Sequence, residues 1–320
     1  MAEAQERATT STAAPSGARP PRPAATVVLL RDGSDGVEVL MTRRSGGAGF
    51  MAGATVFPGG KVDTDDAALG PWPHEAISRV AKDQGRDKER IAAGFGAAVR
   101  ELCEEAAIVL AHREGADAAD AVCVPPEVAR AVAAAVHGER EGHRVPADAF
   151  ARALRQRGLR ATLADVVPFA WWVTPEAEPV RFDTLFFAAI VPDGQQAAAD
   201  GVEGVWAGWL RPADALATHA GGGPVVLPPP TLHTLERLVA LGAGDGSGAS
   251  AADLRNALAT AGIGPRMQPH FLAETHDGPV IALADDPLHP ESLPGDSHRR
   301  NRFCIRGGRF VRVRHDARID

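Results

Sequence analysis

Residues 25–31 and 37–43 are two short runs rich in apolar and β-branched residues, separated by Asp32-Gly33-Ser34-Asp35-Gly36. Two such runs on either side of a Gly-containing break predict a β-hairpin with a loose loop. Further on, apolar positions crowd both flanks of Arg100-Glu101-Leu102-Cys103-Glu104-Glu105, and no Pro or β-branched cluster intervenes before Ile108. Helix is the natural reading there, over residues 94–110, with Gly94 and Gly96 ahead of it as a flexible start. Phe57-Pro58-Gly59-Gly60 is a breaker cluster, read as a tight loop with close backbone approach and not as helix or strand interior. Residues 76–82 carry a short amphipathic helix pattern, and Ala-rich helical patterns follow at 126–137 and 147–157. Strand signals resume at 166–174, 181–191 and 205–210. A short helix is expected from Arg211, with Pro212 in its first turn, and another over 231–241, where Leu232, Leu235, Leu238 and Val239 share one face. A linker over 242–250, a helix at 253–260 and a hairpin over 303–313, turned by Gly307-Gly308, complete the pattern.

On a helix, Glu101 stands three and four positions before Glu104 and Glu105, so three carboxylates share one face within one turn. Like charges at that spacing repel unless a cation offsets them. Mg²⁺, a hard ion that takes oxygen ligands, suits such a face. Taken alone, the cluster reads more readily as a solvated acidic face with Arg100 as a local partner.

Composition narrows the classes. A chain of 320 residues, 45% hydrophobic, can bury a good core. The formal net charge of −7 argues against a general nucleic-acid binder, whose footprint is basic. Lysine occurs only at 61, 82 and 88, so the cations are almost all arginine. Cys103, Cys123 and Cys304 lack a pairing pattern and suit a reducing cytoplasm. Residues 1–24, rich in Ala, Pro, Ser, Thr and Arg, read as a disordered tail without the apolar core of a signal peptide. No stretch reaches the ~18 apolar residues of a membrane span. A soluble cytoplasmic chain is expected, with no membrane or nucleic-acid partner; a homodimer is left open.

The acidic helix gains meaning from what precedes it. The run from Gly60 through Asp66, then Arg100-Glu101-Leu102, Glu104-Glu105 and Ile108, resembles the Nudix box, G-x5-E-x7-R-E-U-x-E-E-x-G-U, where U is aliphatic. Gly60 takes the place of the first Gly, Asp66 of the isolated Glu, and Ala107 of the later Gly. The interval of seven becomes residues 67–99. Upstream, Leu40-Met41-Thr42-Arg43-Arg44-Ser45, Gly53 and Phe57 to Gly60 are similar to the signature L-L-T-x-R-(S/A)-x3-R-x3-G-x3-F-P-G-G of the coenzyme A diphosphatases, with Gly49 in place of its second Arg. The strands at 166–174 and 181–191 look like those of the longer subfamily that includes acyl-coenzyme A diphosphatases.

The resemblance implies an α/β chain with the Nudix fold, a mixed β-sheet sandwiched between helices, over residues 25–240. Helical insertions would lie at about 67–95 and 115–160, and residues 241–320 would form a C-terminal extension packed on that domain. It implies a hydrolase of a diphosphate linkage in coenzyme A or acyl-coenzyme A, with NADH, ADP-ribose or a ligand-sensing module without turnover as alternatives. Glu101, Glu104 and Glu105 would hold Mg²⁺, or Mn²⁺ in its stead, and the Gly60 carbonyl would join them. Arg100 would orient the cluster by pairing with a carboxylate. Glu203, ahead of the strand that carries Trp209, would be a further carboxylate for metal or water activation. Arg44, Ser45, Phe57 and Gly59 are the substrate-binding candidates for a small nucleoside diphosphate derivative. Asp63 and Asp66, displaced by the insertion, are not counted as ligands. His137 and His143 are read as unsuited to a metal by their spacing.

Overall fold

The computed structural model describes residues 20–46, 51–70, 72–115, 123–142, 144–162, 166–202, 204–243, 248–275, 278–284, 286–292 and 301–313. Strands β1 (Arg22–Gly33), β2 (Gly36–Arg44), β3 (Thr55–Val56) and β4 (Gly59–Lys61) come first. A 3-10 turn at Asp66–Ala68 then leads to helices α1 (His74–Gln84) and α2 (Lys88–Ala106). Next are β5 (Ala111–Arg113), α3 (Pro126–Gly138), α4 (Ala149–Arg155) and β6 (Leu159–Ala161). Strands β7 (Val167–Val173), β8 (Phe182–Ile190) and β9 (Gly204–Leu210) are followed by helices α5 (Pro212–Ala220), α6 (Pro229–Ala240) and α7 (Ala251–Ala261). The chain closes with β10 (His270–Thr275), β11 (Gly278–Ala282), β12 (Arg302–Arg306) and β13 (Arg309–Arg312). None of the helices among the described residues is long and apolar enough to cross a membrane.

Strand β1 is buried on both faces, which explains its nearly continuous apolar run. It pairs in parallel with β8 from Arg22↔Phe182 to Leu30↔Ile190, and β8 pairs antiparallel with β7. On its other side β1 meets β2 only near the hairpin turn, from Leu30↔Val39 to Gly33↔Gly36. Beyond that point the two strands splay. Residues 55–61 thread the fork, pairing Thr42↔Val56 on β2 and Ala25↔Gly60 on β1. Strand β9 covers the outer side of β2. The result is a mixed sheet of seven strands among the described residues.

Strand alternation sends Ala25, Val27, Leu29 and Leu40 to one face and Val28, Leu30, Val39 and Met41 to the other. Helix α2 packs on the first face through Phe95, Val99 and Leu102, with α1, α3 and α4 beside it. Helices α5, α6 and α7 cover the second face through Ala215, Leu232, Leu235, Leu254 and Leu258. Arg86, just past α1, ties the first insertion to the sheet. It stacks on Trp171 at 3.6 Å and pairs with Asp183, which also takes Arg90 at 2.8 Å and the Trp171 Nε1–H at 2.6 Å.

Three expectations are corrected. Residues 1–19 of the expected tail lie outside the described residues, but the chain is already strand at Arg22, whose N–H donates to Arg181 O at 2.9 Å. Gly59 and Gly60 belong to strand β4 and not to a loop, and Gly59 seats against β1 more closely than a side chain permits. A Cβ at Gly59 would stand 2.3 Å from Ala25 O. Helix α2 starts at Lys88, with Asp87 as its cap accepting from Glu89 N–H, so Gly94 and Gly96 lie inside it. They are packing points, not a flexible start. A Cβ at Gly96 would meet Asp66 O at 2.1 Å, and one at Gly94 would meet Leu185 at 3.2 Å.

Candidate active site

Helix α2 buries Val99, Leu102, Cys103 and Ala106 against the sheet, which leaves its polar flank facing β4 and the 3-10 turn. Arg100 is the hub of that flank. Its side chain is 3% exposed, and Nε and Nη2 donate to the two oxygens of Asp66 at 2.8 and 3.1 Å. Nη1 donates to Glu101 at 2.9 Å and Glu104 at 3.2 Å, and Nη2 also reaches Lys61 O at 2.8 Å. Burial pulls the guanidinium pKa down, but Glu101, Asp66 and Glu104 outweigh it and hold it above the ordinary arginine value. Burial raises Asp66 and Glu104 above the usual carboxylate range, with Arg100 opposing. The Cys103 thiol, buried in the same helix, is pushed up by burial and so is not a nucleophile.

The glycine strand meets the carboxylates directly. Gly59 N–H donates to Glu105 Oε2 at 3.1 Å. Gly60 lies so close to Glu101 that a Cβ would stand 2.3 Å from Oε1. The upstream signature and the acidic helix, far apart in sequence, therefore form one wall.

The other candidates are placed unequally. By strand alternation Arg44 stands on the same face as Leu40 and Thr42, the face that α2 covers, and its Nε is buried without a hydrogen-bond partner. Ser45 follows at the strand end, half-buried. The Phe57 side chain is buried in the core on the opposite face, beside Met41 and Val28, so it supports the strand from behind and a ligand cannot reach its ring. Glu203, Gly49 and His143 lie outside the described residues. Asp66 was passed over because the insertion follows it. In fact the insertion leaves and returns beyond the 3-10 turn, so the Asp66–Arg100 pairing survives, and its register with the isolated acidic position was the available signal. His137 was read only as a poor ligand; its Nε2 donates to Glu104 O at 2.9 Å, a contact with no sequence signal.

The donor set suits a hard divalent cation: three carboxylates on one helix face, beside a glycine backbone that no side chain screens. Among the described residues no group of three or more His, Cys, Asp or Glu side chains stands already arranged around a metal position. Arg100 Nη1 lies between Glu101 and Glu104 and pairs with both. The residues fit such an ion by donor chemistry.

No family model matches the chain. It is 24% identical over 313 residues to acyl-coenzyme A diphosphatase NUDT19 of Xenopus laevis, over 86% of this chain and 80% of that protein. It is 28% identical over 202 residues to nudix hydrolase 7 of Caenorhabditis elegans, covering 62% of this chain and 55% of that relative's length. The crystal structure of a NUDIX hydrolase from Alicyclobacillus acidocaldarius superposes with a TM-score of 0.56 at 29% identity, over 77% of this chain and 99% of that one. With the box residues gathered on α2 and β4 within a mixed sheet between helices, these likenesses agree: in sequence and in fold the chain is similar to the Nudix hydrolases.

Proposed function

We propose that this enzyme is a Mg²⁺-dependent diphosphatase acting on coenzyme A or acyl-coenzyme A, releasing adenosine 3′,5′-bisphosphate and the 4′-phosphopantetheine product. The observation that carries the reading is the seating of Gly59 and Gly60 against Glu105 and Glu101, with Arg44 on the same face of the sheet. The Xenopus laevis relative, an acyl-coenzyme A diphosphatase by name, supports the substrate class.

Glu101, Glu104, Glu105 and the Gly60 carbonyl would hold Mg²⁺, with Mn²⁺ as substitute. When bound, the ion neutralises diphosphate oxygens and acidifies water. The remaining work falls to the chain. Arg100 keeps Glu101 and Glu104 together until they bind, and Asp66 fixes Arg100. Arg44 offers a planar fork to a phosphate, the geometry that reads a phosphate bidentately. Glu203 accepts the proton of the attacking water as its oxygen bonds to phosphorus and the bridging P–O bond breaks.

The test is turnover of coenzyme A, acyl-coenzyme A, 3′-dephospho-coenzyme A, NADH and ADP-ribose with Mg²⁺, followed by mass spectrometry. Coenzyme A is expected to exceed its 3′-dephospho form. Arg44→Ala should lose about 1.5–3 kcal/mol of transition-state binding, the size of a charged hydrogen bond. Glu105→Gln should lower turnover by roughly 100-fold or more while unfolding at the wild-type temperature. Brisk cleavage of NADH or ADP-ribose without coenzyme A would reassign the substrate, and a fully active Glu105→Gln would overturn the site.

A further inference from the structure

The second helical insertion reaches the site at two points, and one of them has no counterpart in the chemistry described so far. The last turn of α3 is fastened to the end of α2 by the His137–Glu104 O hydrogen bond. From that turn Arg140 extends to Asp200, Nη1 to Oδ2 at 2.9 Å, with side chains only 12% and 1% exposed. The other oxygen of Asp200 accepts from Val202 N–H at 3.1 Å and Gly204 N–H at 2.9 Å, and Gly201 N–H donates to Gly204 O at 3.1 Å. Asp200 thus sets the turn that starts β9. That strand begins opposite Arg44, where the ladder skips from Arg43↔Trp206 to Arg44↔Gly204. The preceding segment is held to the catalytic helix by Ala198 N–H to Ala106 O at 3.0 Å, and Gln195 bridges to Val109 and Val124.

A buried ion pair adds little net stability, because desolvation of both charges offsets their attraction. What it does provide is one fixed geometry. Here that geometry runs from the helix that carries the carboxylates, through α3, Arg140 and the Asp200 turn, to the strand end that carries Arg44. We propose that Arg140 and Asp200 are a positioning pair, which sets the distance and direction of Arg44 relative to the carboxylate helix and so determines how tightly the enzyme grips a nucleoside diphosphate. The insertion is then part of the site and not an ornament on it. This inference rests on Arg44 as the phosphate-binding residue.

The decisive comparison uses four full-length variants: Arg140→Met, Arg140→Lys, Asp200→Asn and the Arg140→Met/Asp200→Asn double. Asparagine keeps an oxygen for the Val202 and Gly204 N–H groups but drops the charge, so the double removes both charges without leaving one buried alone. Each is measured for melting temperature, for kcat and KM on whichever diphosphate the wild type cleaves, and for the Kd of ADP by calorimetry, which needs no turnover. Arg140→Met is expected to raise KM and the ADP Kd about 10-fold with kcat within about 3-fold of wild type, and Arg140→Lys to recover most of the loss. The double should regain the wild-type melting temperature but not the wild-type KM. A double that regains both, or an Arg140→Met that melts early yet binds ADP and substrate normally, makes the pair mere structural glue and overturns the proposal. If the wild type binds ADP and cleaves no diphosphate, the enzymatic reading falls while the Kd comparison still decides the positioning pair. If it neither binds ADP nor cleaves anything, both fall.

Discussion

Ala107 sits at φ +57°, in the left-handed region, where it ends α2 and donates its N–H to Cys103 O. The Nudix box carries Gly at that place, and the reason is visible here: the helix needs a left-handed cap, and only Gly adopts one without a Cβ penalty. Ala107→Gly is therefore expected to stabilise the protein by about 1 kcal/mol, measured by urea unfolding, with activity unchanged. A neutral or destabilising result would mean that the cap is not strained. At this scale the sequence was a good guide to identity and a poor guide to partnership. The Glu101, Glu104 and Glu105 face followed from helical spacing alone, a local rule. That Asp66 would hold Arg100, or that Phe57 would turn its ring into the core, depended on chain segments that meet only after folding.

Among the elements, helix α2 teaches most. Its acidic half was legible because apolar periodicity brackets it, whereas its true start at Lys88 was hidden behind Gly94 and Gly96, which local propensity reads as breakers. Their role is set by what they touch. Alanine is the better helix former by about 1 kcal/mol, yet a methyl at Gly96 would lie 2.1 Å from a backbone oxygen that cannot rotate away. Gly96→Ala should thus lose about 1–3 kcal/mol, the usual cost of overpacking, and should also lose activity as the Asp66 turn is pushed off Arg100. Circular dichroism melting and turnover check both halves; a more stable, fully active variant would show that the turn yields easily. The hairpin, α3, α4, α6 and the C-terminal hairpin were read correctly for the same reason that the first turns of α2 were not. Their patterns are local and self-contained, while the strand pairing of residues 55–61 in the fork is a tertiary fact.

For the molecule as a whole, acid sensitivity has an identifiable site away from the active centre. His233 on α6 is held well below its ordinary value, at about 4, by burial first and then by Arg312 and Arg237. Arg312 Nη2 donates to its Nδ1 at 3.2 Å and pairs with Glu236, and the Trp172 ring lies 5.5 Å away, so the imidazole is neutral in the fold. A group whose folded pKa is depressed and whose charged form is the protonated one takes up its proton more readily in the unfolded chain. Its stabilisation is complete above about 6.5 and is lost as pH falls from there to about 4, in all on the order of 3 kcal/mol. Asp66 and Glu104, raised by burial, act in the opposite sense as pH rises past their ordinary values, so the measurement is a difference. Between pH 7 and 4 the wild type should lose more unfolding free energy than His233→Gln, in which an amide oxygen can still accept from Arg312. Parallel curves for the two would remove His233 from the account.

The parallel pairing of β1 with β8 has a consequence for how the protein is made. Synthesis delivers β1 first, yet the strand that pairs with it from Arg22 to Leu30, residues 182–190, leaves the ribosome only after both insertions have been translated. Until then Val27, Val28, Leu29 and Leu30 present an apolar strand with one edge unpaired, the kind of edge that recruits other chains. The hairpin with β2 and the local helices can form as they emerge, but the sheet on which α2 lays its carboxylates is completed late. Expression yield should therefore respond to chaperone supply and translation speed more than the finished fold's own stability would suggest.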